Sequence, residues 1–254
     1  MIPLRDQEYL GQRFQKDLAN RVRIDYFSQR PSRIYVPGRE DCQFCEETRL
    51  LLEELASLSD RISLTVHELS ESKELAQELA VDKVPAIVIR GQTNRPVRFF
   101  GIPTGNEFPG FVETLLDAAR GTVDLKAETM KALRKVKSDV EVQVFVTPTC
   151  PYYPSLARTA HKFALQNPHL SVEVVEVNEF PALGQRLGIR AVPTTVIDAK
   201  VMIPGAMDES ALLANIQRAV SGRPQGAAAS VGATTAVPVS SPQPAPRPGG
   251  LILP

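Results

Sequence analysis

Arg39-Glu40-Asp41-Cys42-Gln43-Phe44-Cys45-Glu46-Glu47-Thr48-Arg49 places two cysteines three positions apart where a helical pattern begins. From Cys45 onward, Leu51, Leu52, Leu55 and Leu58 fall on one helical face, with Arg49, Glu53 and Glu54 off it. Cys42 therefore stands at or just before a helix N-terminus, and Cys45 in its first turn. The unpaired N–H groups and partial positive charge of that end favour a thiolate over a thiol. The thiolate is the reactive form in disulfide exchange. Glu46 and Glu47 stabilise the same helical turn but pull the other way on the thiols.

Downstream, residues 62–69 read as a strand and 73–80 as a helix. Val84-Pro85-Ala86-Ile87-Val88-Ile89 is a β-branched run with proline at its head, where a strand tolerates it. Arg98-Phe99-Phe100-Gly101 closes a hairpin, and a helix over 111–119 is ended by Gly121. Upstream, Leu10, Phe14 and Leu18 give an amphipathic helix over residues 4–19, and residues 22–27 alternate like a strand. Ile34-Tyr35-Val36, inside the Pro/Gly-punctuated stretch 31–39, predicts a small extra strand.

The second half repeats the first. A helix over 127–137 leads into a strand over 140–146. Thr147-Pro148-Thr149-Cys150-Pro151-Tyr152-Tyr153-Pro154 then opens a helix carrying Leu156, Ala160, Phe163 and Ala164 on one face. A strand over 172–177 and a helix over 182–187 precede Val192-Pro193-Thr194-Thr195-Val196-Ile197, which mirrors the run from Val84. Gly205 mirrors Gly101, and Leu212, Ile216 and Val220 give the closing helix. Cys42 and Pro85 are 43 positions apart, and so are Cys150 and Pro193. The spacing upstream differs, which assigns an insertion to about residues 31–39.

The 254 residues carry 29 basic and 29 acidic side chains, so net charge is zero and neither a nucleic acid nor an anionic membrane surface is implied. The N-terminus has no apolar signal core and no run is long enough to span a bilayer, so the expectation is a soluble, cytoplasmic protein. Three cysteines, Cys42, Cys45 and Cys150, are too few and too unevenly placed for a disulfide framework. Beyond Gly222 the chain turns to Ala, Ser, Pro, Val and Gly, which cannot bury enough apolar surface to offset ordering, so 223–254 is expected to be a disordered tail. The division is 1–122, 123–222 and 223–254.

Cys42 and Cys45 as half of a zinc site would need two further ligands, and Cys150, His67, His161 and His169 lack the spacing. Neither a metal nor a cofactor is implied. A Cys-x-x-Cys pair near a βαβ pattern points instead to redox chemistry. Cys150 at a helix start reads equally as a reactive monothiol or as a relic.

The β-α-β then β-β-α order of each half, with cysteine at the first helix and Val-Pro at a strand start, resembles the thioredoxin fold. Two such units in tandem, with Thr147-Pro148-Thr149-Cys150-Pro151-Tyr152 in the second and Phe100-Gly101-Ile102-Pro103 closing the first, resemble the protein disulfide oxidoreductases of archaea and thermophilic bacteria, also described as glutaredoxin-like proteins. The match covers about residues 4–222. It implies an α/β fold of two tandem thioredoxin-like domains, each a mixed sheet flanked by helices. It also implies thiol–disulfide exchange on disulfide-containing protein substrates, with an electron donor such as a thioredoxin reductase or glutathione. Cys42 would be the attacking thiolate and Cys45 the resolving thiol. Pro85 and Pro193 match the proline that is cis in this fold, and the Val84–Pro85 and Val192–Pro193 loops would pair with extended substrate. The second pair of the family is broken here, because Tyr153 stands where the partner of Cys150 belongs, and a phenol cannot resolve a mixed disulfide. Thioredoxin's buried acid has no clean counterpart; Asp25 lies on the equivalent strand but on its other face.

Two alternatives belong to the same residues. One is a non-catalytic binding or scaffold protein on a thioredoxin-like frame, since fold does not establish catalysis. The other is a glutathione-linked monothiol activity at Cys150.

Overall fold

The computed structural model describes residues 2–31, 41–149, 154–222 and 237–238. In chain order the elements are α1 (Leu4–Asp17), β1 (Val22–Ser28), α2 (Cys45–Ser57), β2 (Ile62–Glu68), α3 (Lys73–Glu78), β3 (Ala86–Arg90), β4 (Val97–Phe100) and α4 (Glu107–Arg120). They continue as α5 (Ala127–Leu133), β5 (Val140–Val146), α6 (Pro154–Gln166), β6 (Leu170–Glu176), α7 (Pro181–Leu187), β7 (Ala191–Val192), β8 (Thr194–Ile197), β9 (Val201–Pro204), α8 (Glu209–Val220) and β10 (Val237–Pro238).

Eight strands form one mixed sheet in the order β2-β1-β3-β4-β6-β5-β8-β9. The repeat read from the sequence appears as geometry. In each half a parallel pair (β1 with β2, β5 with β6) is followed by two antiparallel ones, and Asp25 faces Val88 as Gln143 faces Val196. The halves join through the parallel pair β4–β6, where Arg98, Phe99 and Phe100 lie opposite Glu173, Val174 and Val175. This sheet-to-sheet seam has no local sequence signature, since neither strand is adjacent to the other in the chain.

Helices cover both faces, so β1, β3, β5 and β6 are buried at most successive positions, even though only β3 is a continuous apolar run and β5 begins by alternating apolar and polar residues. The sheet edges behave otherwise, with β2 and β9 each leaving alternate or successive positions open. Leu10, Phe14 and Leu18 of the N-terminal segment are fully buried, as their spacing predicts. Phe14→Ala is expected to cost about 3–5 kcal/mol, read as a lowered urea midpoint.

Several boundaries move. Helix α1 stops at Asp17, because Leu18 is already extended. Helix α4 begins at Glu107, four residues before the predicted start, because Pro109 falls in the first turn, where no intrahelical N–H is needed. Helix α5 ends at Leu133 rather than 137; the N–H groups of Lys135 and Val136 bond three residues back, tightening the chain out of α geometry. Helix α3 ends at Glu78, before Ala80 takes a positive φ of 52°. The extra strand expected at Ile34-Tyr35-Val36 lies outside the described residues, as does the 223–254 tail apart from two positions. Those two, Val237 and Pro238, pair antiparallel with Val192 and Ala191, a departure from a wholly unstructured tail. A β-branched residue before proline favours the extended backbone that such a pairing uses.

Helix α4 packs against α6 and ties the halves together. Arg158 bonds both carboxylate oxygens of the buried Asp117, with Nε to Oδ2 at 2.9 Å, and also pairs with Glu113. His161, fully enclosed, bonds Thr114 Oγ1 and the carbonyl of Arg98, and burial pushes its imidazole down to about 4. It is a satisfied core histidine.

Candidate functional site

Cys45 is the first residue of α2 and Phe44 its cap. Cys42 lies just ahead of that end, and its N–H donates to Gln29 Oε1 at 3.2 Å. The two sulfurs are joined in a disulfide. They are not equivalent. Cys45 is 5% exposed, and its sulfur accepts the Gln29 N–H at 3.4 Å. Cys42 is only half-buried and lines the mouth of a cleft. An incoming sulfur can therefore meet Cys42 while Cys45 stays behind it, the asymmetry that attack and resolution require.

The first turn of α2 is fixed from inside. Thr48 Oγ1 donates to the carbonyl of Phe44 at 2.6 Å, and the Tyr26 hydroxyl of β1 donates to the carbonyl of Cys45 at 2.6 Å. Burial holds the Tyr26 phenol far above its ordinary range, so it remains a donor at any physiological pH. Glu46 points outward to Arg49 and stays in water.

The cleft has a volume of about 1860 Å³ and is lined, among others, by Cys42, Gln43, Phe44, Val84, Pro85 and Glu179. The Val84–Pro85 bond is cis, and the Pro85 carbonyl accepts from Gly101 N–H at 2.9 Å. The Val192–Pro193 bond is cis as well, and the Pro193 carbonyl accepts from Gly205 N–H at 2.8 Å, the same device in the second half. Val192 and Pro193 do not line the cleft. Of the site residues read from the sequence, Cys42, Cys45, Val84 and Pro85 thus come together; Cys150 lies outside the described residues.

The second half reaches into the same cleft. Phe180 packs edge-on against Phe100 with centroids 6.4 Å apart. Lys83, next to Val84, sits 3.6 Å over the Phe100 ring and pairs with Glu173 at 3.3 Å. Glu179 Oε1 accepts the Ile102 N–H at 2.7 Å, while its Oε2 is enclosed with no hydrogen-bond partner. Glu176 accepts the N–H groups of Asn178 and Glu179 at 3.2 and 2.9 Å.

Sequence reasoning missed Tyr26, Gln29 and Glu179. The repeat sets Glu179 opposite Glu71, which pairs with Arg30 at the surface, so register alone could not single it out. Asp25 is bound by Arg90 at 2.5 Å and by His67 Nε2 at 3.1 Å, which commits it to structure. Among the described residues no group of three or more His, Cys, Asp or Glu side chains converges as a metal site, and no helix is long and apolar enough to cross a membrane.

Burial pushes the Glu176 carboxyl up to about 7 and that of Glu179 up to about 8, from an ordinary 4.5. Between the unfolded and folded values the folded chain holds protons that the unfolded chain has released. Stability therefore falls as pH rises from about 5 to about 8 and levels off above. Thermal unfolding at fixed ionic strength is expected to report a loss of roughly 2–4 kcal/mol over that window, discounted for the solvent of the cleft.

Two repeated βαβ–ββα halves on one sheet, with a cysteine pair at a helix start whose Cys42 shares a cleft with a cis-proline loop, define a thioredoxin-fold protein. A family model for the thioredoxin domain matches residues 140–217. A thioredoxin of Methanocaldococcus jannaschii is 35% identical over 82 residues, 32% of this chain and 96% of that protein. A protein disulfide oxidoreductase of Aeropyrum pernix superposes with a TM-score of 0.75 at 25% identity, covering 89% of this chain and 97% of that one. An alkyl hydroperoxide reductase component of Xanthomonas campestris is 25% identical over 166 residues, 65% of this chain, which spans only 30% of that relative's length. The chain belongs to the thioredoxin family.

Proposed function

We propose that the protein is a thiol–disulfide oxidoreductase acting on protein disulfides through Cys42 and Cys45, with residues 1–122 and 123–222 as its two thioredoxin-like units and 223–254 as a tail. The carrying observation is the half-buried Cys42, disulfide-bonded to a buried Cys45 at the start of α2, in one cleft with the cis Val84–Pro85 loop. In the reduced protein the Cys42 thiolate attacks a substrate disulfide. One substrate sulfur leaves as a thiolate and a Cys42–substrate disulfide forms. Cys45 then attacks Cys42, the Cys42–Cys45 bond forms, and the second substrate sulfur leaves. The substrate gains two electrons and the protein becomes the disulfide. An extended substrate segment would lie along the Val84–Pro85 loop by backbone pairing.

A reducing donor such as a thioredoxin reductase or glutathione would return the pair to the dithiol. In a cytoplasmic setting, the net direction is reduction of substrates. The test is insulin reduction by dithiothreitol. Wild type is expected to accelerate it and Cys42→Ser not to; equal acceleration by both proteins would remove Cys42 from the mechanism.

A further inference from the structure

We infer that the Ala191–Val192 edge of the second half is a docking site whose occupant is the chain's own tail, held there by Val237 and Pro238. Strand β7 stands outside the eight-stranded sheet, and among the described residues its strand partner is β10. Val237 lies opposite Val192 and Pro238 opposite Ala191, antiparallel. Ala191 and Val192 directly precede the cis Pro193. The inference takes from the proposed function only that an extended segment lies beside the residues ahead of such a proline. It adds that in the second half this place is filled from within.

The two halves differ there. The repeat that aligns Pro193 with Pro85 sets Ala191 and Val192 in register with Lys83 and Val84. Val84 is half-buried and lines the cleft that holds Cys42. Val192 is 1% exposed and does not line that cleft. A sharper difference follows one position past the proline, where the second half has Thr194 and the first has Ala86. Thr194 Oγ1 donates to the carbonyl of Ala191 at 2.6 Å. Ala86 has no hydroxyl to do the same. A segment lying against Ala191 therefore need not supply an N–H to that carbonyl, and the residue opposite it is a proline, which has none. The edge is satisfied from inside at the one position where its occupant cannot donate. This favours a Val-Pro segment at the second half over the same segment at the first.

A two-residue pairing is weak alone. Val237 follows Gly222, just past α8, by 15 positions, so the segment is presented at an effective concentration on the order of millimolar. A free polypeptide must compete with that. The arrangement has a use that the sequence explains. Tyr153 stands where the partner of Cys150 belongs, so a polypeptide captured at Cys150 could not be discharged by a neighbouring thiol. A tail on the Ala191–Val192 edge keeps polypeptides off the half that cannot release them and leaves the Val84–Pro85 loop open to them.

Two experiments on the full-length chain test this, both with Cys42→Ser, Cys45→Ser and Cys150→Ser in place so that neither depends on the dithiol. The first reads register. Ala191→Cys with Pro238→Cys should close a disulfide in oxidised glutathione at least about tenfold faster than Ala191→Cys with Val237→Cys. Opposed residues of antiparallel strands lie within disulfide reach, whereas the adjacent position projects from the other face. The tethers differ by one residue, so the ratio reports pairing rather than chance encounter. Rates within about threefold of each other overturn the proposal.

The second experiment reads occupancy. A fluorescent peptide copying residues 233–242 should bind the chain carrying Val237→Gly and Pro238→Gly at least about tenfold more tightly than the chain that keeps its own Val-Pro. It should not bind the chain locked by the Ala191→Cys/Pro238→Cys disulfide. Equal affinity for the first two forms, binding to the locked form, or no binding to any form at millimolar peptide overturns the proposal. Insulin reduction that survives Cys42→Ser would remove the dithiol reading and leave both of these results standing, so the two failures are told apart.

Discussion

Cys45→Ser is expected to trap the protein on its substrates and to lower turnover of protein disulfides by at least about a hundredfold. The half-buried Cys42 keeps its position at the α2 terminus and its capacity to attack. What is lost is the buried second sulfur, which alone can displace the substrate from Cys42 within the molecule. The serine hydroxyl does not form a thiolate equivalent and cannot break the bond. Mass spectrometry of Cys45→Ser after exposure to oxidised insulin should show an adduct that dithiothreitol removes, and Cys42→Ser should show none. Turnover by Cys45→Ser within about threefold of wild type would mean that an external thiol, rather than Cys45, resolves the intermediate.

Gly101→Val should be the most damaging substitution outside the cysteines. Gly101 has φ of +108°, where side chains are strained, and a Cβ there would meet Glu176 Cβ at 2.7 Å and Glu179 Oε1 at 2.8 Å. Backbone strain and overpacking together are expected to cost about 3 kcal/mol or more, a fall in Tm of roughly 6–12 °C for a chain of this size. The damage should also reach function, because the Gly101 N–H holds the Pro85 carbonyl and the next N–H holds Glu179. A Tm within about 2 °C of wild type would show that the β4 terminus yields easily.

Much of this was written in local patterns. The apolar spacing of Leu51, Leu52 and Leu55, the β-branched runs after Pro85 and Pro193, and the matched 43-residue intervals fix the elements and their repetition. The cysteine pair falls where the helix pattern places it. Less visible was everything that depends on which strands become neighbours. The β4–β6 seam brings Phe180 against Phe100 and Glu179 under Ile102, contacts between residues 77 to 80 positions apart. Glu179 and Glu71 occupy the same register of the repeat, yet Glu179 is half-buried with its Oε2 enclosed and Glu71 is exposed, because the first lies against Ile102 at the end of β4. That Asp25 would be bound by Arg90 depends on β1 and β3 becoming neighbours, which no local pattern announces. Helix α4 starts ahead of Pro109, since the cost of a proline depends on which turn it occupies.

The most direct measurement is a redox titration of the Cys42–Cys45 pair in glutathione and dithiothreitol buffers that together span about −100 to −350 mV, with free thiols trapped and counted by mass. A working dithiol gives one reversible two-electron transition, with a midpoint between about −120 and −270 mV, that vanishes in Cys42→Ser. A pair that stays bonded or stays reduced across the whole range would contradict a role in disulfide exchange.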